Sequence, residues 1–330
     1  MSRVGQFLGK LFAGQTDKNE TILRAYGKLP LYAEYRRLEV APGTSTSFSR
    51  WLDEGRLAWV RSKPEKERGS TRNTRVVFRW PDSRDIVLAS IWDSRDSLGR
   101  IFPFVFFTVC PRESLGEHRL QRWAACLAMH ERFSKSHARL AVLSSGGDFY
   151  RLYNKQIFPI RPDDVAKRAA SLLEETRKIT LEDWFEAAPL GDIKPGEWFA
   201  SLLRRMERWK TQPESVKQLA LSCPLAAGIP CDVQAVIWLE WVATLPGVDH
   251  IEPWLVLPPA DAPAPRHMQV IFRDLIPEDF QLLTTDADTY GYVEDLAQMP
   301  SGATENSEDG PATAMPSGSM LDALTRHTAG

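Results

Sequence analysis

The feature that most constrains the fold is a pair of short apolar runs joined by a polar connection. The runs are Asp85–Trp92 and Phe102–Val109, and both are rich in β-branched and aromatic residues. Runs of this length and composition, bounded by turn-forming residues, indicate buried β-strands. A further run of this type, residues 75–80, comes just before them. Because strands that follow one another in sequence are usually neighbours in space, we expect strands 75–80, 86–92 and 103–109 to be adjacent in one sheet.

The connection between the last two runs reads SRDSLGRIFP, from Ser94 to Pro103. Gly99 suits a backbone position with positive φ, and Pro103 restricts Phe102 to an extended conformation at the start of the second strand. Asp96 and Arg100 are close enough in the loop to pair and hold it closed. Ser94 is suited to cap or close the same turn.

The carboxylates of Asp93 and Asp96 leave an alternative open at this loop. Paired carboxylates are able to bind a metal ion or to perform acid–base chemistry. Arg100 beside them favours an internal ion pair instead. No complete catalytic motif supports the alternative: Gly5–Lys10 departs from a phosphate-binding loop, and His130-Glu131 is followed by serine where a metalloprotease helix has its second histidine.

These motifs together resemble the TagF (ImpM) family of type VI secretion-associated proteins. The connection follows the pattern Ser-x-Asp-x-x-Gly-Arg-x-Phe-Pro, which is carried by Ser94, Asp96, Gly99, Arg100, Phe102 and Pro103. An upstream Gly-Lys-Leu-Pro element (Gly27, Lys28, Leu29 and Pro30) is similar to the family's N-terminal motif, and Phe48, Trp51 and Leu52 match its Phe-x-x-Trp-Leu helix. Where the family has Gly-Asp-Phe, this chain has Ala33-Glu34-Tyr35. The resemblance covers about Tyr26 to Val109, and extends more loosely to about Leu283.

The resemblance implies an α/β protein whose N-terminal domain is a three-layer α/β/α sandwich. It also implies a cytoplasmic, non-enzymatic accessory protein without a cofactor, which represses assembly of the secretion system after translation by binding other proteins. The implied partners are other type VI components, with a fork-head-associated scaffold protein and a PP2C-type phosphatase pathway among them. Two alternatives stay open: a structural adaptor within the secretion apparatus, or a hydrolytic or ligand-binding enzyme that uses the Asp93/Asp96/Arg100 loop.

Composition narrows the classes of partner. The formal net charge is −2, so bulk charge predicts affinity for neither nucleic acid nor membranes. No window approaches the ~20 apolar residues of a membrane span, and the first residues lack the pattern of a secretory signal, so we expect a cytoplasmic protein with no integral membrane segment. The spacing of Cys110, Cys126, Cys223 and Cys231 fits neither a zinc site nor a redox motif, which favours buried free thiols.

A basic stretch follows the Phe-x-x-Trp-Leu helix. Arg61, Lys63, Lys66, Arg68 and Arg72 occur here with few acidic residues. Such a charged stretch is typical of a solvated loop, and the alternative is a docking surface for an acidic partner. Nucleic acid is disfavoured, because no aromatic residues are interleaved for base stacking.

The chain is expected to fall into four parts. Residues 1–20 form an N-terminal extension with a short amphipathic segment, and residues 21–160 the TagF-like α/β domain. Residues 161–295 form a mainly helical region with two extra strands, at 253–257 and 268–272; whether it packs separately or on the first sheet is left open. Residues 296–330 are predicted to be a disordered acidic tail, in which Met320, Leu321 and Leu324 are spaced to form a short partner-binding turn.

Overall fold

A computed structural model shows how the chain folds. It describes residues 20–40, 43–62, 64, 73–79, 84–140, 143, 145–153, 157–213, 215, 220–245, 253–259, 266–284, 293–298 and 318–326. The predicted N-terminal amphipathic segment and most of the predicted tail lie outside these residues.

The scaffold is a nine-stranded sheet in the described part of the chain, with the order β11-β8-β10-β9-β4-β5-β6-β2-β3. The three apolar runs identified in the sequence are its centre, and they are neighbours as predicted. They pair antiparallel, with Val77 opposite Leu88 and Leu88 opposite Thr108. Strands β1 and β7 form a separate antiparallel pair. The strands are β1 (Glu20–Ile22), β2 (Arg24–Gly27), β3 (Arg36–Leu38), β4 (Thr74–Arg79), β5 (Asp85–Trp92), β6 (Phe104–Pro111), β7 (Ile157–Pro159), β8 (Ala220–Leu225), β9 (Trp254–Leu257), β10 (Arg266–Ile271) and β11 (Val293–Asp295).

Helices cover both faces of the sheet. They are α1 (Thr44–Ser62), α2 (Arg119–Leu140), α3 (Gly146–Tyr153), α4 (Pro162–Lys178), α5 (Leu181–Ala187), α6 (Pro195–Thr211), α7 (Cys231–Val242) and α8 (Met320–Arg326), with 3-10 helices at Arg112–Leu115 and Pro277–Leu283. None of the described helices combines the length and the apolarity that crossing a bilayer requires.

Alternation along the central strands divides the core into two layers. In β5, Leu88 belongs to the layer that also holds Trp123 of α2 and Trp238 of α7. The next residue, Ala89, belongs to the opposite layer, with Phe48 of α1 and Phe280 of the 277–283 helix. Side chains of a strand point alternately to the two faces of its sheet, so a strand buried on both faces needs helices on both. The predicted α/β/α sandwich is confirmed.

The second half of the chain extends the same sheet. Strand β9 pairs with β4, with Val256 opposite Val76, so the sheet continues past the boundary expected near residue 160. The two extra strands predicted at 253–257 and 268–272 are confirmed as β9 and β10, and β8 and β11, which were not predicted, join them in the sheet. The sequence did not reveal β8 or β11, because β8 contains Pro224 and lacks β-branched residues and β11 is only Val-Glu-Asp.

The tail is not disordered throughout. For residues 318–326 the prediction of disorder is wrong, because they include helix α8, whose Met320 and Leu324 are buried. The helix packs on α4, α5 and α7, and the Met320 N–H donates to the Ile179 carbonyl at 2.9 Å. Met320 and Leu324, which are one helical turn apart, thus pack on an apolar surface of this chain. The sequence pattern predicts a partner-binding turn at the same place.

Candidate interaction surface at the 94–103 loop

Residues 94–103, called the signature loop below, join β5 to β6. Paired backbone hydrogen bonds close it: the Asp96 N–H donates to the Arg100 carbonyl at 3.1 Å, and the Phe102 N–H to the Ser94 carbonyl at 3.1 Å. The Gly99 N–H donates to the Asp96 carbonyl at 2.9 Å, and Gly99 has φ +80°, which confirms the positive φ predicted for it. The loop is a short extension of the β5–β6 hairpin.

The Asp96 carboxylate holds this turn together. One oxygen, Oδ1, accepts the backbone N–H groups of Leu98 (3.0 Å) and Arg100 (2.8 Å). The other, Oδ2, lies 2.7 Å from Arg100 Nε and 2.9 Å from Lys28 Nζ. The predicted Asp96–Arg100 pairing is confirmed, whereas the sequence did not reveal Lys28 as a second cation. Both carboxylate oxygens of Asp96 therefore bind donors from this chain.

These contacts determine the protonation state of Asp96. Its side chain is fully buried, and burial acts to raise the pKa of the carboxyl. The hydrogen bonds from Lys28, Arg100 and Leu98 outweigh burial and hold that pKa well below its ordinary value. A carboxylate that accepts several hydrogen bonds and faces two cations stays ionised at neutral pH. It is a poor proton acceptor as a result.

The two stretches that carry the family resemblance meet at this loop. Besides the Lys28–Asp96 ion pair, Ser94 Oγ donates to the Lys28 carbonyl at 2.8 Å. Gly27 lies opposite Phe104 in the β2–β6 pair, and a Cβ there would come 2.1 Å from the Pro103 carbonyl oxygen. No side chain larger than hydrogen fits at that distance. Gly27 and Lys28 are thus required by the shape of a loop that follows much later in the sequence.

Aromatic rings support the loop from beneath. The ring of Phe102, which is buried, lies 4.7 Å from that of Tyr35 and 6.0 Å from that of Tyr26, in edge-on arrangements. The hydroxyl of Tyr26 donates to the carboxylate of Asp53 in α1. Arg100 donates to the Ala33 carbonyl. Ala33–Tyr35, the segment that departs from the family pattern, is therefore built into the same structure.

Other family-like positions have structural roles. Leu29 is buried and Pro30 is exposed in the turn after β2. Phe48 contacts Phe107 of β6, with ring centres 5.1 Å apart, and Trp51 Nε1 donates to the Ile276 carbonyl at 2.9 Å. Both hold α1 against the sheet and the 277–283 helix, away from the surface.

The basic docking residues are only partly described. Arg61 is exposed in the last turn of α1. Lys63, Lys66, Arg68 and Arg72 lie outside the described residues. The alternative of an acidic partner at this stretch stays a prediction.

The outer side of the signature loop carries exposed apolar side chains among polar ones. Leu98 is 67% exposed, Ile101 44% and Tyr35 43%. The Arg100 side chain beside them is 56% exposed. We call Tyr35, Leu98, Arg100 and Ile101 the loop surface. Exposed large apolar side chains grouped in one place are typical of a protein-binding site, whereas single ones are ordinary.

A second aromatic residue lies next to the loop surface, and no sequence motif points to it. Tyr150 of α3 is 45% exposed, and its ring packs edge-on against Tyr32. The Tyr32 carbonyl in turn accepts the Ser97 N–H at 2.9 Å. Sequence analysis missed Tyr150 because only the folded chain brings α3 next to the loop.

The two carboxylates of the alternative catalytic site have different surroundings. Asp93 is exposed, whereas Asp96 is buried, and the Asp93 N–H donates to Asn73 Oδ1 at 3.2 Å. Within the described ranges, no group of three or more His, Cys, Asp or Glu side chains is placed to hold a metal ion. All four cysteines are buried thiols outside any disulfide, as predicted.

Comparisons with known proteins add a weak structural likeness. No family model matches the chain, and no curated protein matches it. Among solved structures, the chain is similar to the crystal structure of PA0076 from Pseudomonas aeruginosa PAO1, with 18% sequence identity and a TM-score of 0.25. The match covers 27% of this chain and 42% of that one. A likeness this partial carries no argument about function.

Proposed function

We propose that the chain is a TagF-like cytoplasmic accessory protein of type VI secretion, which represses assembly of the system after translation by binding another component. The observation that carries the proposal is the meeting of two separated sequence motifs, the Gly-Lys-Leu-Pro element and the signature loop, in one structure. Lys28 and Asp96 form a buried ion pair at 2.9 Å at their junction. The residues of these two motifs thus form one continuous structure.

The chemistry of that feature favours binding over catalysis. Both oxygens of Asp96 are occupied by donors from this chain, and its pKa is depressed, so a general base or an open metal ligand is not what the geometry offers. Tyr35, Leu98 and Ile101 lie outside this closed network, and the Arg100 side chain, which belongs to the network, is still 56% exposed. Tyrosine and arginine are enriched at the energetically important positions of protein interfaces.

The partner follows from the family resemblance. On this proposal the loop surface binds a type VI component, with a fork-head-associated scaffold protein as the first candidate, and acts in the pathway of a PP2C-type phosphatase. The buried ion pairs fix the shape of the loop in advance. A preformed surface loses little conformational entropy when it binds.

Co-purification from a host with an active type VI system tests the proposal. The full-length double variant Leu98→Asp/Ile101→Asp places two carboxylates on the loop surface, and we expect it to lose its secretion partner and to release repression. Leu57→Asp is the matched control, because Leu57 is 47% exposed on α1. This control should keep both partner and repression.

Two results separate the proposal from its alternatives. If the wild-type chain recovers no secretion component and its deletion leaves secretion unchanged, the proposal fails. If the chain instead stays at fixed stoichiometry in the assembled apparatus, it is a structural adaptor and not a repressor.

A further inference from the structure

We propose that a cavity between α2 and α4 binds a compact amphipathic carboxylate. This role is separate from the one proposed for the signature loop. The cavity has a volume of about 180 Å³. It is bounded by the middle of α2, by the start of α4 and by the end of β7. An apolar cavity of about 150 Å³ is large enough for benzene, so this one has room for a ligand of about six carbon atoms.

The inner wall of the cavity is apolar. Ala124, Ala125 and Ala128 of α2 face α4 and leave space that larger side chains would fill. Met129, Ile160 and Val165 complete the wall, and all three are buried. A wall of this kind offers no hydrogen bonds, so it favours an acyl or aryl group over a polar one.

The rim of the cavity is mainly basic. Arg132, Arg161 and Arg168 all line it, together with Asp164. Arg132 donates to the Pro159 carbonyl at 3.2 Å, and Arg168 NH1 lies 3.7 Å from the Glu131 carboxylate. The three arginines outnumber the two carboxylates, Glu131 and Asp164, at this rim.

One arginine at the rim has a hydrogen-bond donor that no group in the described part of the chain satisfies. The Nε of Arg168 is buried and has no hydrogen-bond partner among the described residues. A buried donor left without an acceptor is costly, and a ligand oxygen would relieve that cost. Arginine is also the side chain best suited to bind a carboxylate through parallel hydrogen bonds. The apolar wall and the basic rim together select an organic acid with a short apolar body.

Titration of the full-length protein with sodium hexanoate tests this assignment, by calorimetry or by ligand-observed NMR. We expect saturable millimolar binding, with acetate and 1-hexanol both weaker by roughly fivefold or more, because each lacks one half of the recognised chemistry. Absence of saturable binding would overturn the proposal. So would equal affinity for 1-hexanol, since the arginines would then play no part.

Substitutions locate the site. Ala128→Leu fills the cavity from its half-buried side and should weaken hexanoate binding by about tenfold or more; Ala128→Val serves in its place if the leucine variant fails to fold. The pair Arg132→Gln/Arg161→Gln should weaken hexanoate binding and leave 1-hexanol unaffected. Arg139→Gln is the matched control, an exposed α2 arginine outside the cavity. Unchanged hexanoate binding in a folded Ala128 variant would place the ligand elsewhere and refute the assignment.

Discussion

The signature loop and the α2–α4 cavity differ in how completely they are packed. The loop is closely packed, whereas the cavity leaves space unfilled. At the loop, both Asp96 oxygens are occupied and Gly27 has no room even for a methyl group. At the cavity, alanines leave about 180 Å³ open, and the buried Nε of Arg168 has no hydrogen-bond partner in the part of the chain that the structure describes. The packing at the loop leaves no room for a larger side chain at Gly27, whereas the cavity has room for larger side chains in place of its alanines. The contrast predicts where substitutions destabilise the fold and where they are accepted.

The largest effect is expected from Gly27→Ala. The new Cβ would clash with the Pro103 carbonyl, and φ at this position is +124°, so we expect a loss of about 3 kcal/mol or more in the free energy of unfolding. Gly99→Ala is the control: φ there is +80°, but, apart from its chain neighbours, no described residue has an atom within 4 Å of the new Cβ. Backbone strain alone should cost about 1–2 kcal/mol. Equal losses in urea denaturation would show that the close approach at Gly27 does not matter.

A smaller but pH-dependent effect is expected from Asp96→Asn. The amide keeps the shape but leaves buried Lys28 without its countercharge, so we expect the melting temperature at pH 7 to fall by roughly 5 °C or more. Because the folded-state pKa of Asp96 lies below its unfolded value, its stabilisation is complete above the unfolded pKa and is lost as pH falls towards the folded one.

The control for that prediction is the pH profile itself. Melting temperatures of the wild type and Asp96→Asn should begin to converge once pH falls below about 5 and should approach each other further as pH falls towards the folded-state pKa, since the wild-type carboxylate loses its advantage over this whole range. A difference that stays constant with pH would mean that the ion pair does not stabilise the loop.

The smallest effect is expected from Ala128→Leu. Filling an existing cavity with a good helix former should leave the free energy of unfolding within about 1 kcal/mol of wild type, or raise it. Ala89→Leu is the matched control, because Ala89 is fully buried in β5 beneath α1. Adding the same atoms to a filled core should cost about 1–3 kcal/mol. If denaturation shows the reverse order, the contrast between filled and unfilled regions is wrong.

The sequence predicted what depends on local pattern. Strands β4 to β6 follow from their apolar runs, and the Asp96–Arg100 pairing and the φ of Gly99 follow from the spacing within the loop. Lys28 was recognised only as part of a motif, because its ion pair depends on β2 lying beside β6. Strands β8 and β11 lacked the pattern of strands altogether and form only because the sheet continues beyond β9.

The same distinction explains the candidate sites. The signature loop was found because its residues are contiguous, whereas Tyr35 and Tyr150 join the loop surface and its surroundings only through tertiary contacts. The cavity has no linear signature either: its alanines look like ordinary helix residues, and the arginines come from two helices and the turn between β7 and α4. The prediction of disorder is wrong at residues 318–326 for a related reason: helices distant in sequence build the surface that α8 covers.

The central claim, that the signature loop presents a surface for binding, is tested most directly by site-specific photo-crosslinking in cells with an active type VI system. A photoreactive residue at position 98, followed by mass spectrometry, should capture a secretion component, whereas the same residue at position 57 should not. Capture of no secretion component from position 98, or equal capture from both positions, would contradict the claim.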